Sequence, residues 1–321
     1  MTFKDDRSQP RRKPYTLVRP YVPLAVLLAL LSSVGAIQHT FVSPYNLSVL
    51  ADESSVILLL ATAQTVVILL GGIDLSMAAL TALASVLIAL TLPSMKVGSV
   101  ISVLALTTLL GAFQGYIHAR AQLPSVVVTL AGLGIWSSLA LTIAHTTIPV
   151  SAGFSAIGWL KGSSFGVPHS FAFAAAALAV LAGSLRWLPL GRYVYAIGLN
   201  PRAALLSGIR VGRVKTLAFA LTGLFSGLAG MAMVARTGSG NPTIADSLLL
   251  PSIAAVLIGG TKMSGGVGGL GCTVIGALSI TILRVGIAAT GLDPAYEPIA
   301  YGVLIVTAAL ATDRSWDPLQ K

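Results

Sequence analysis

The feature that most constrains this chain is a succession of long apolar runs that carry almost no charge. They cover residues 20–37, 48–70, 76–93, 97–117, 124–145, 169–188, 215–235, 247–261, 267–289 and 297–312. About 20 apolar residues suffice for a helix to cross a bilayer, and in hydrocarbon a helix satisfies its own backbone polar groups. The pattern therefore predicts an all-α polytopic bundle of about ten membrane-spanning helices. A tail at 1–19, a membrane domain at 20–312 and a second tail at 313–321 follow from it. The eighth run is short and is bracketed by Pro251 and the Gly259–Gly260 pair. It is expected to be a broken or half-inserted helix.

Composition supports lipid as the solvent. Hydrophobic residues make up 55% of the chain and charged residues only 9%, where a soluble domain carries charge at roughly a quarter of its positions. The 33 glycines suit close helix–helix approach in lipid. The net charge of +10 comes mostly from bases in the gaps between runs. No basic stripe with interleaved aromatics is present, so nucleic acid is not an expected partner. With both termini in the cytoplasm, only Lys96, Lys161 and Arg236 fall outside, while Arg120, Arg186, Arg192, Arg202, Arg210, Arg213, Lys215, Lys262 and the basic tails fall inside. That asymmetry is the positive-inside pattern. Arg284 lies within a run, where it either snorkels to the interface or faces a pathway. The bases before Tyr21 and the apolar run after it imitate a signal peptide, but the run is read as a retained first helix.

The residue types for catalysis or metal binding are scattered. Cys272 is the single cysteine, and His39, His118, His145 and His169 are far apart. No metal or cofactor is expected, and an intramembrane enzyme lacks its constellation. The glycine-rich stretch 259–271 lacks the order Gly-x-x-x-x-Gly-Lys-[Ser/Thr] of a phosphate-cradling loop.

Three groups of residues stand out. Asp74 follows Gly71 and Gly72 and is the only acid between Glu53 and Asp246. It caps the third helix, serves a hinge or gate together with Gly71, Gly72, Gly259 and Gly260, or relays protons. The segment from Ile68 to Ser76 resembles that from Val256 to Ser264, as an internal repeat or as chance. Gln64, Thr65, Gln114, Ser137, Ser138, Thr222 and Ser226 are neutral polar residues inside runs. They either bond neighbouring helices or line a pathway suited to hydroxylated solutes; Gln64, Thr65, Gln114, Ser137 and Thr222 are the pathway candidates.

The internal loop 189–214 contains a short helix. Asn200 is a good N-cap, Pro201 fits the first helical position and Gly208 fits the left-handed residue after the last turn. On a helical wheel Ala203, Ala204 and Ser207 share one side and Leu205 and Leu206 the other. The leucines are expected to rest on the membrane domain and the small side to meet another protein.

At these residues the chain resembles the permease subunits of ribose-type sugar ABC importers. The resemblance is carried by Gly191–Gly198, Asn200, Ala203, Ala204 and Ser207–Ile209, by Gly71–Ser76, and by Gly259-Gly260-Thr261 with Ser264-Gly265-Gly266. It runs from about residue 45 to 312. Leu199 stands where a second glycine is usual, and Met77, Ala78, Lys262 and Gly271-Cys272 also depart from the pattern. The resemblance implies an inner-membrane permease paired with a second permease subunit, an ABC ATPase subunit that is single or double-headed, and a periplasmic sugar-binding protein. It implies that Asn200, Arg202, Ala203, Ala204, Ser207 and Gly208 form the ATPase contact. Alternatives are a permease for a nucleoside or furanosyl signal, and an ion-coupled secondary transporter. The scarcity of carboxylates in the runs counts against the last.

Overall fold

The computed structural model describes residues 21–38 and 40–312. The tails at 1–19 and 313–321, with their bases, and His39 lie outside the described residues. Thirteen helices follow in order. α1 (Tyr21–Ile37), α2 (Pro44–Leu69), α3 (Met77–Met95), α4 (Val97–Ala121) and α5 (Ser125–Ile143) lead to an outer excursion. That excursion holds β1 (Ile148–Pro149), α6 (Ser155–Gly158), a 3-10 turn and the hairpin β2 (Ser163–Ser164) with β3 (Val167–Pro168). α7 (His169–Trp187), α8 (Pro189–Leu199), α9 (Pro201–Leu206) and α10 (Val211–Thr237) follow, then β4 (Ser239–Gly240), α11 (Leu249–Ile258), α12 (Leu270–Ala289) and α13 (Glu297–Thr312). β1 pairs antiparallel with β4, Ile148 opposite Gly240.

Seven of these helices are long and apolar enough to cross a membrane, and three shorter apolar ones complete the expected ten. The eighth expected span is the ten-residue α11, preceded by a 3-10 turn over Asp246–Leu248. It reaches only part-way across, since ten residues rise about 15 Å. α8 and α9 lie at one end of the bundle and β1–β4 at the other, and the charge asymmetry of the sequence is the argument for calling the first end cytoplasmic.

The bundle is built around α2. Every residue from Ser54 to Leu70 is buried, the state expected of a helix that is apolar all round. α10, α12, α11 and α7 surround it. α4 and α10 cross closely through small residues spaced four apart: Gly111 and Gly115 on one, Gly223 and Gly227 on the other. A Cβ on Gly111 would run into the Phe219 carbonyl oxygen, and one on Gly223 into that of Thr107. Packing of this kind drives association where lipid removes the hydrophobic incentive.

On the outer side a charged cluster ties the bundle together. Arg236 of α10 reaches Glu53 of α2 at 2.9 Å and Asp52 at 4.0 Å. Arg284 of α12 reaches Glu53 at 4.0 Å and Glu297 of α13 at 3.6 Å. Tyr301 donates to Glu297 at 2.8 Å, and Ser170 of α7 donates to Asp52. Arg284 thus points its charge to the outer end of its helix.

Candidate functional site

The segment 189–210 is more ordered than a loop with one helix in it. Residues Pro189–Leu199 form α8, with Gly191, Val194 and Ile197 buried. That three-residue spacing is one helical face laid against the bundle. α9 then begins at Asn200, whose side chain accepts the N–H groups of Arg202 at 3.1 Å and Ala203 at 3.0 Å. Gly208 has φ +82. Its N–H donates to Leu205 at 3.0 Å, and the N–H of Ile209 to Ala204 at 3.1 Å, which is the paired ending of a Schellman motif. The cap, the proline and the terminal glycine occupy the positions the sequence assigned them.

The leucines of α9 do not rest on the membrane domain as expected, and the small side is split, with Ala203 and Ser207 exposed and only Ala204 buried. Ala204 is buried, whereas Leu205 is 61% and Leu206 86% exposed. Arg202, Ala203, Ser207 and Gly208 are also exposed. Ala204 joins the buried core of the bundle. Wheel geometry separated the two sides but not their directions. The leucines therefore form the outward apolar surface.

Beside α8 the ends of α2 and α11 come together with the loop that follows α11. α2 ends at Gly71 (φ +79), with Gly71 N–H donating to Ile68 and Gly72 N–H to Val67. α11 ends at Gly260 (φ +83), with Gly260 N–H donating to Leu257 and Thr261 N–H to Val256. The two resembling segments thus close their helices by the same motif. Their equivalence is offset by one residue, since the left-handed position is the first glycine of one pair and the second of the other. Gly259 keeps a right-handed φ of −61, and its tight contact is with the Cys272 carbonyl of α12.

Gly266 N–H crosses to the Leu69 carbonyl at 2.8 Å. Gly198, near the end of α8, is wedged against both Leu69 and Gly266. Tyr195 donates its hydroxyl to the Gly268 carbonyl at 3.0 Å. Leu199, the departure from the family pattern, packs its side chain on Gly266. α8, the end of α2 and the loop after α11 are therefore one joint.

Asp74 sits in the non-helical link 71–76 and is fully buried. Its Oδ1 accepts from Ser76 N at 2.8 Å and Ser76 Oγ at 2.6 Å, and its Oδ2 accepts from Thr222 Oγ1 of α10 at 2.7 Å. α5 satisfies the backbone beside it: Ser125 Oγ accepts from Ile73 N at 3.0 Å, and Thr129 Oγ1 donates to Ile73 O at 3.3 Å. Irregular backbone at this depth needs such partners. The carboxylate thus fastens the start of α3 and also ties the link to α10.

The polar residues of the spans divide into two kinds. Thr65 pairs with Thr273 of α12 at 2.7 Å, and Thr222 is engaged by Asp74. Gln64 and Gln114 are buried, and among the described residues neither amide has a hydrogen-bond partner. Gln114 lies over Gly132 of α5 and beside Ser76. Ser226 is buried without a partner for its hydroxyl among the described residues. Ser137 is half-buried and Ser138 exposed. The site brings together Gly71, Gly72, Asp74 and Thr222, but not Ser137.

Sequence reasoning missed Tyr195 and Gly198 as joint residues, the glycines of α4 and α10, and the outer charged cluster. The four-residue glycine spacing was a readable signal. The cluster had none, because its members come from opposite ends of the chain.

The chain is 35% identical over 303 residues to the ribose import permease protein of Bacillus subtilis, covering 91% of each. It is 33% identical over 299 residues to that of Escherichia coli K12, covering 91% of this chain and 92% of the relative. It is 34% identical over 305 residues to the fructose import permease protein of Rhizobium meliloti, covering 89% and 83%. The family described as "Branched-chain amino acid transport system / permease component" matches residues 46–309, and this chain belongs to it as a membrane permease component.

Proposed function

We propose that this chain is the membrane-spanning subunit of a bacterial inner-membrane ABC importer for a monosaccharide. A periplasmic binding protein delivers the sugar, two permease subunits enclose the path, and a separate ATPase, single or double-headed, supplies the work. The observation that carries the reading is α9, a doubly capped six-residue helix that presents Leu205 and Leu206 outward. So short a helix is not stable alone, and its exposed leucines favour burial against a partner.

Asn200, Arg202, Ala203, Ser207 and Gly208 flank that surface, and Ala204 holds it to the bundle. Movement of α9 passes through Gly198 to the joint of α2 and α11, where Gly71, Gly72, Gly259 and Gly260 act as hinge and Asp74 holds the gate end of α3 to Thr222. The partner drives this motion by binding the two states of the bundle unequally.

The family description names branched-chain amino acids, whereas several relatives at 33–35% identity are named for ribose and fructose. The neutral pathway candidates favour sugar: Gln64, Thr65 and Gln114 offer donors and acceptors to hydroxyls and no charge to a zwitterion. Ser137 and Thr222 are assigned to the same path. Buried amides without partners cost about 1–3 kcal/mol each, a cost that a passing hydroxylated solute offsets.

The test is uptake of labelled monosaccharides into vesicles holding the permease with its ATPase and binding protein. Uptake should require ATP inside. Accumulation by the permease alone, or collapse by an ionophore with ATP present, overturns the reading.

A further inference from the structure

A cavity of about 490 Å³ opens beside α9 on the cytoplasmic side, lined by residues of α8, the 207–210 turn and the start of α10. Its wall is apolar at Leu190, Val214 and Leu217, and it carries Tyr193, Arg210 and Arg213. Among the described residues neither arginine forms an ion pair. Both guanidiniums are exposed.

The depth of the cavity points to its occupant. Trp187, three residues before Leu190, is 80% exposed at the end of α7. An exposed tryptophan ending a membrane helix sits at headgroup level, and tyrosine shares that preference. Leu217, which also lines the cavity, is 52% exposed on a helix that enters the bilayer. The cavity therefore spans the boundary between headgroups and acyl chains, with cations at the wet end and aliphatic side chains at the dry end. A soluble anion matches only the first half, and an apolar segment of a cytosolic partner only the second.

We propose that this cavity binds one anionic phospholipid of the inner leaflet. Its phosphate is held by Arg210 and Arg213 through charge-assisted hydrogen bonds, and the upper part of an acyl chain lies against Leu190, Val214 and Leu217. Since Ser207 and Gly208 also border the cavity, the lipid buttresses the C-terminal end of α9. The proposal is independent of the solute transported.

The probe is phosphatidylglycerol added to the full-length permease in detergent, with retention read by native mass spectrometry against phosphatidylcholine. Phosphatidylglycerol should be retained preferentially, and Arg210→Ala with Arg213→Ala should weaken it about 10- to 30-fold. Arg192→Ala, an exposed arginine of α8 outside the cavity, should leave retention unchanged, and thermal unfolding should show all variants folded. Equal retention of the two lipids overturns the proposal. So does equal loss in Arg192→Ala, or displacement by inorganic phosphate as effective as by phosphatidylglycerol. Loss of ATPase association in the double variant with lipid retention intact assigns the arginines to the protein partner and also overturns it.

Discussion

Gly266 donates its backbone N–H to the carbonyl oxygen of Leu69 at 2.8 Å, joining the end of the central helix to a turn near the far end of the chain. Gly198 is pressed into that contact from the cytoplasmic side. A hydrogen bond between two backbone groups does not depend on a side-chain rotamer, so it couples the two segments directly. Any displacement of α8 is felt by α2 and by the turn after α11 together.

Gly198→Ala should break this joint. Its new methyl would overlap the Leu69 carbonyl and the Gly266 backbone, and backbone cannot step aside cheaply. A loss of about 1–3 kcal/mol is expected. Thermal unfolding of the purified permease measures it, and an unchanged Tm would show that the contact yields.

On α9 the two sides should respond oppositely. Leu206→Asp, at an 86% exposed position, should leave stability within about 0.5 kcal/mol while abolishing ATPase association and uptake. Ala204→Asp places a carboxylate at a buried position and should instead destabilise the membrane domain. Co-purification with the ATPase, read beside unfolding temperature, separates the two effects. Full uptake by Leu206→Asp would remove α9 from the docking surface.

Thr222→Val keeps the shape of its side chain but deletes the donor to Asp74 Oδ2. Leaving a buried acceptor without its partner costs about 1–3 kcal/mol, so a loss of that order is expected. Thr222→Ser should recover most of it. Equal stability of all three forms would mean that Asp74 does not depend on α10.

The outer cluster is partly exposed, and its pairs should be weak and sensitive to salt. A double-mutant cycle of Glu53→Gln and Arg236→Gln should give a coupling of about 0.5–1 kcal/mol at low ionic strength, falling as salt rises. A coupling of zero would reduce the 2.9 Å contact to incidental geometry.

Much of this protein follows from local pattern. The spans, the short eighth helix and the caps of α9 are set by residues close in sequence: an uninterrupted apolar run, a proline at a helix start, a glycine where φ must be positive. Hydropathy and backbone sterics act over a few residues, so one strand of text carries them. The amphipathic spacing of Gly191, Val194 and Ile197 was equally local, and α8 could have been read from it.

The directions and partners were decided by packing. A helical wheel places Ala204 opposite the leucines but does not say which side is buried; that is a property of the surface α9 lies on. Asp74 meets Thr222, Glu53 meets Arg236 and Leu69 meets Gly266 because separate helices share a bundle, and the spacing of such residues along the chain carries no distance. The sequence by itself determined that there would be about ten helices in a membrane and where most of them end. Only the tertiary structure decided which of their polar groups are spoken for, because satisfaction in a low-dielectric interior depends on which neighbour arrives within about 3 Å.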